Sequence, residues 1–215
     1  MLNRLTSWLS AAAAGVAFVL ATPVANAAEM KEIRIGWQPT TTVEAQIAHT
    51  LAKTDILEKN GLKGKMVMFS FGPAVNEALV SGAIDVGFIG DMPSVALANA
   101  NAPTTVIGRQ SVFRGSIVAS TKSGITSLAG LKGKKLYGPV GSSIFLAAQD
   151  MLAKAGLKPG VDVQIVHMGF ADLSDGIKAG KVDAVFVWDP WIELFATQGL
   201  GKVLASDTSL TMVIA

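Results

Sequence analysis

Two short segments of the sequence place hydroxyls and free backbone donors where an anion could be held. In YGPVGSSIFLAAQ, Gly138 and Gly141 bracket a turn, and Ser142 and Ser143 stand at the start of a long apolar helix. The first N–H groups of a helix have no intrahelical partners and sit at the positive end of its dipole. Two hydroxyls beside them can hold sulfonate, nitrate or carboxylate oxygens without a lysine. Capping uses one serine hydroxyl, which leaves the second for a ligand. In IGDMPS, Gly90 allows close backbone approach, Asp91 is placed to cap the next helix, and Pro93 suits its first turn. A carboxylate repels an anion, so the backbone around Gly90 is the expected contact, with Asp91 open to a ligand amine.

Two further loops could read the rest of a ligand. VWDPW puts Trp188, Asp189 and Trp191 at a strand end, where Trp188 can wall an organic group and Asp189 can accept a hydrogen bond, leaving Trp191 to the core. GWQPTTT adds Trp37, Gln38 and a run of threonines that includes Thr41, in a loop that Pro39 keeps out of helix. Catalytic and cofactor patterns are missing. GPVGSS lacks the lysine of a phosphate-binding loop and the Gly-x-Ser-x-Gly of a nucleophile elbow. His49 and His167 lie far apart, with no acidic or cysteine neighbours at metal-ligand spacing, so neither a metal site nor a cofactor is expected. Arg109 and Arg114, near the junction of the two series, could pair with an anion, although arginine at a crossover is more often a structural ion-pair partner.

The elements that must position these loops follow a regular order. Residues 1–27 read as a secretory signal, with Arg4, an apolar run from Ala11 to Leu20, and Ala25 and Ala27 at the small positions of a cleavage site after Ala27. That run is too short for a spanning helix. The chain has no cysteine, and its formal charge of +2 offers neither a nucleic-acid surface nor a polybasic membrane patch. Beyond the signal, apolar strands alternate with helices: KEIRIGW, VEAQIAHTLAKTDILEKNG, KMVMFSF, PAVNEALVSG, DVGFIG, PSVALANANA. Strands apolar on both faces belong to a mainly parallel sheet covered by helices. A second series repeats the order, and EALVSGAIDVGFIGDMPS has its echo in DGIKAGKVDAVFVWDPW. The expectation is two similar α/β lobes, residues 28–115 and 116–210, facing each other across a ligand cleft.

IRIGWQ, FSFGPAVNEALVSGAIDVGFIGDMP, LKGKKLYGPVGSS and VDAVFVWDPW, in that order between Ile33 and Asp207, resemble the periplasmic substrate-binding proteins of aliphatic-sulfonate, taurine and nitrate ABC importers. The resemblance implies a type II periplasmic-binding-protein fold and a monomer, not an enzyme, that closes on a small organic anion and delivers it to an inner-membrane permease. It implies ligand contacts at Gln38, Gly90, Asp91, Ser142, Ser143, Trp188 and Asp189, to which the loop residues Trp37 and Thr41 are added. Family members return from the second lobe to the first, and residues 211–215, TMVIA, are where that return strand is expected to begin. An enzyme on the same two-lobe fold is the alternative, acting on a small carboxylate or a pyrimidine-precursor-like compound with Asp91 and Asp189 as acid and base. A third reading has the loaded protein report to a membrane sensor.

Overall fold

The structure is a computed structural model in which residues 29–215 are described; the expected signal and its cleavage site lie outside them. Its elements are β1 (Lys31–Trp37), α1 (Thr42–Lys53), α2 (Ile56–Lys59), β2 (Leu62–Met68), α3 (Gly72–Val80), β3 (Val86–Gly90), α4 (Asp91–Asn99), β4 (Gly108–Ser120), β5 (Lys135–Gly138), α5 (Ser143–Lys154), β6 (Gln164–His167), α6 (Phe170–Ala179), β7 (Ala184–Trp188), α7 (Trp191–Thr197) and β8 (Gly201–Ile214). Among these, no helix is long and apolar enough to cross a membrane.

The alternating strands and helices build two parallel wings, because a helix between two strands returns the chain to the same end of the sheet. In one wing β1 pairs in parallel with β2 and β3; in the other β5 pairs in parallel with β6 and β7. The wings are joined into a single eight-stranded sheet, in the order β2-β1-β3-β8-β4-β7-β5-β6. Residues 108–120, GRQSVFRGSIVAS, form one long strand, β4. KVLASD and TMVI likewise belong to the continuous β8.

These two long antiparallel strands give the sheet an approximate two-fold relation. The C-terminal part of β8 pairs with β3, as the second part of β4 pairs with β7. Between them β4 and β8 pair along their lengths, with a register shift where Phe113 faces Leu210 and Gly115 faces Asp207. The division expected at residues 115 and 116 falls beside this irregularity, inside a continuous strand. Residues 212–214, within the segment where the return strand is expected to begin, pair antiparallel with β3.

The larger core lies in the second wing. Every residue of β7 is buried, and Phe186, Ile117, Leu136, Ile144, Leu173, Ile192 and Phe195 are fully enclosed. A smaller cluster under the first wing contains Val75, Ala78, Ile84, Ile89 and Leu97. The echoing segments occupy equivalent places, each running from a helix through a left-handed glycine, Gly82 or Gly180, into the innermost parallel strand. Both of those strands end at the boundary between the wings. The repetition therefore delivers IGDMP and VWDPW to one place.

Candidate functional site

A small cavity of about 20 Å³ lies where the wings meet, lined by Gln38, Thr41, Gly72, Gly90, Pro93, Phe113, Ser142, Ser143, Trp188 and Met212. That is room for about one water molecule. Six of the nine residues singled out in the sequence are in its wall: Gln38, Thr41, Gly90, Ser142, Ser143 and Trp188. They arrive from four different strand ends, which is why no single motif contains the site.

The backbone explains their approach. Gly90 ends β3 in extended conformation and precedes α4. A Cβ at Gly90 would lie 2.3 Å from Ser143 Oγ, so a side chain there would displace that hydroxyl. Ser143 Oγ instead accepts a hydrogen bond from the Met92 N–H, 3.3 Å away, at the start of α4. Ser142 occupies the N-cap position of α5 but caps nothing with its side chain; its hydroxyl donates to the Pro139 carbonyl at 2.6 Å. The expected division, one serine for the cap and one for a ligand, is thus replaced by one serine holding its own turn and one reaching across the boundary.

On the other side, the Gln38 side-chain amide donates to the Phe88 carbonyl at 2.9 Å, fastening the first loop to β3. The Trp188 indole N–H donates to the Thr40 carbonyl at 2.9 Å, joining the second wing to that same loop. Trp188 is buried against Phe170, whose ring lies edge-on with centroids 4.6 Å apart. Trp191 stacks on the other side of Phe170 at 5.1 Å, the packing role expected for it.

Trp37, Asp91 and Asp189 stand outside this cavity, each for a physical reason. Trp37 continues the alternation of β1 and packs edge-on against His49 of α1. Asp91 accepts the Met92 N–H at 2.8 Å and the Thr211 N–H at 3.0 Å, so its carboxylate serves the start of α4 and fastens β8. Asp189 receives both arms of the Arg114 guanidinium, at 3.0 and 2.8 Å, and Glu193 pairs with the same arginine. These two acids raise the Arg114 pKa further, so that side chain is permanently charged. Among the described residues no group of histidines, cysteines and acids could hold a metal.

One residue of the site was not singled out in the sequence. Glu44, in the first turn of α1, is completely buried. Its Oε1 faces the Gln38 N–H at 3.1 Å and its Oε2 faces Thr41 Oγ1 at 2.5 Å. Burial pushes its carboxyl up to about 8, against the opposing pull of those two hydrogen bonds. The signal was present: Thr41-Thr-Val-Glu44 has the Ser/Thr-x-x-Glu spacing of a capping box. In the structure the glutamate turns to the Gln38 N–H and the threonine hydroxyl, and Thr41 makes no side-chain cap. Glu44 also borders a second cavity of about 260 Å³, which shares Thr41, Phe113 and Met212 with the first and extends past Gln110 and Arg114.

Two helix starts meet at a cavity on the boundary of the joined wings, and residues 35–207 match the family described as the phosphonate ABC-transporter periplasmic substrate-binding protein, to which the chain belongs. Among curated relatives it is similar to an aliphatic sulfonates-binding protein of Escherichia coli (strain K12), 33% identical over 204 residues covering 93% of this chain and 62% of the relative. A second relative carries the same description in Bacillus subtilis (strain 168), at 31% identity over 90% of this chain and 60% of the relative. The chain thus spans about 60% of their length. Among solved structures it is similar to the alkanesulfonate-binding protein SsuA from Xanthomonas axonopodis pv. citri bound to MOPS, with a TM-score of 0.74 and 30% identity, covering 87% of this chain and 66% of that one.

Proposed function

We propose that the protein captures a small sulfonate-like organic anion at the boundary between its wings, is not an enzyme, and hands the anion to an inner-membrane ABC permease. The observation that carries this reading is the convergence of the starts of α4 and α5 on one small cavity, with Gly90, Ser142 and Ser143 in its wall. Helix starts and hydroxyls favour a negative charge without needing a cation. The sulfonate-binding descriptions of the relatives support the ligand class. The adjoining 260 Å³ cavity suits an organic tail, and there Gln110 has a buried side-chain amide with no partner among the described residues.

A cavity of about 20 Å³ is too small for a sulfonate, so binding requires the wings to part. The β4 and β8 crossing is the natural place for that motion, because among the described strands only these run through both wings, and their register shifts at three places, one of them at Gly115. The enzyme alternative needs Asp91 and Asp189 to face a substrate. Asp91 is bonded to backbone N–H groups, and Asp189, which borders the larger cavity, is held there by Arg114. Periplasmic location follows the family, and N-terminal sequencing of the exported protein is expected to begin at Ala28.

The test is thermal unfolding of the mature chain with methanesulfonate, taurine, MOPS, methylphosphonate, nitrate and sulfate. A ligand at a hundred times its Kd adds about 2.7 kcal/mol to the folded state. A shift with sulfonates and none with nitrate or sulfate is the expected result; no shift with any sulfonate overturns the reading. In the same assay Ser142→Ala/Ser143→Ala should weaken sulfonate binding by about 10- to 100-fold, the worth of hydrogen bonds to a charged group. Gly90→Ala should weaken it about tenfold by pushing the Ser143 hydroxyl aside, since each 1.4 kcal/mol lost is a factor of ten.

A further inference from the structure

Thr41 is in the wall of the anion cavity, and its hydroxyl has one proton to give. Where that proton points depends on Glu44, whose Oε2 lies 2.5 Å away. An ionised Glu44 can only accept. It then takes both the Gln38 N–H and the Thr41 O–H, and Thr41 turns lone pairs towards the cavity, which repel an oxyanion. A protonated Glu44 still accepts the Gln38 N–H on Oε1, but its own O–H donates from Oε2 to Thr41 Oγ1. The Thr41 proton is then released to donate into the cavity.

We propose that Glu44 is a positioning residue that sets the direction of the Thr41 hydroxyl, so that the protein holds an oxyanion only with a proton lodged between Glu44 and Thr41. This rests on the reading of the cavity as an anion site. The proton comes from solvent whenever Glu44 is ionised in the free protein, so capture then takes up one proton and release returns it. No other charge competes for the carboxyl. The charged groups bordering the cavity that adjoins Glu44 are Arg114 of β4, engaged by Asp189 and Glu193, and Asp189 itself. On α1, His49 packs on Trp37. On the strands under α1, Arg34 is paired with Asp85, and Lys63 and Lys65 are exposed.

The arrangement makes a distinction that a merely structural glutamate would not. Glutamine at position 44 can reproduce the protonated state, its carbonyl accepting from Gln38 and its NH₂ donating to Thr41, and it cannot ionise. The experiment is calorimetric titration of the mature protein with methanesulfonate from pH 6 to 10, in two buffers of different ionisation enthalpy so that proton uptake is counted directly. Methanesulfonate carries the same charge throughout this range. Wild-type affinity should fall about tenfold for each pH unit above about 8, with proton uptake rising towards one per ligand. Glu44→Gln should show neither the fall nor the uptake, and Thr41→Val should lose the pH dependence along with the hydroxyl. Wild-type binding that is unchanged to pH 10, or a Glu44→Gln profile that falls in parallel with wild type, overturns the role of Glu44 and leaves the anion site standing. Absence of binding at every pH overturns both.

Discussion

Replacing Trp188 with alanine is expected to cost about 3–5 kcal/mol of stability and most of the sulfonate binding with it. The first effect is that of truncating a large buried aromatic, whose removal leaves a void beside Phe170 and Phe113 that the rigid sheet cannot fill. The second comes from position. Trp188 walls the cavity, and its indole N–H also holds the Thr40 carbonyl of the loop that carries Gln38 and Thr41. Trp188→Phe narrows the comparison, because it keeps an aromatic ring in the core while removing the N–H and part of the ring system. That variant should lose about 1–3 kcal/mol, one hydrogen bond plus a smaller void than alanine leaves. Urea unfolding monitored by far-UV circular dichroism, with and without methanesulfonate, measures both. A Trp188→Ala midpoint close to that of wild type would show that the indole is not the core element described.

The second large effect is a dependence of stability on pH that belongs to one residue. Glu44 has a folded-state pKa of about 8, while an unfolded glutamate titrates near 4.5. Between those values the folded chain binds a proton that the unfolded chain releases. Stability from this group is therefore fully present below about 4.5 and is lost as pH rises through about 8, with a total on the order of 5 kcal/mol. Other groups titrate over the same range, so the informative quantity is the difference between wild type and Glu44→Gln. Wild type should lose stability relative to the variant between pH 5 and pH 9, and the gap should stop widening above that. Parallel curves would mean that Glu44 is solvated and ionised in the folded protein, contrary to its burial. This linkage concerns the free protein and does not depend on which ligand is bound.

The alternation of strand and helix was legible because it is written in local pattern. Apolar runs such as VGFIG and AVFVW are short and bounded by turn residues, as strands buried on both faces are, and the glycines after α3 and α6 stop those helices where the chain must reverse. The echo between the two series, likewise local, located Gly90 and Trp188 at equivalent strand ends. The serines at the start of α5 and the Gln38–Thr41 loop could be nominated for the same reason: helix starts and proline-marked loops are properties of a few consecutive residues.

What tertiary structure decided was partnership. Nothing near Asp189 in sequence announces Arg114, 75 residues earlier, and nothing near Asp91 announces the Thr211 N–H, 120 residues later. Both acids look free in their motifs and are occupied in the fold. The joining of separate short runs into β4 and β8 was hidden in the same way. Strand length depends on what pairs alongside, and each of these strands finds its ladder only because the other crosses beside it. Glu44 shows the limit most plainly. Its spacing from Thr41 marks a helix start, yet its charge state follows from burial, which the sequence around it does not express. Local sequence chose the groups that can hold an anion; the packing of distant strands chose which of them face the cavity, and which are held elsewhere.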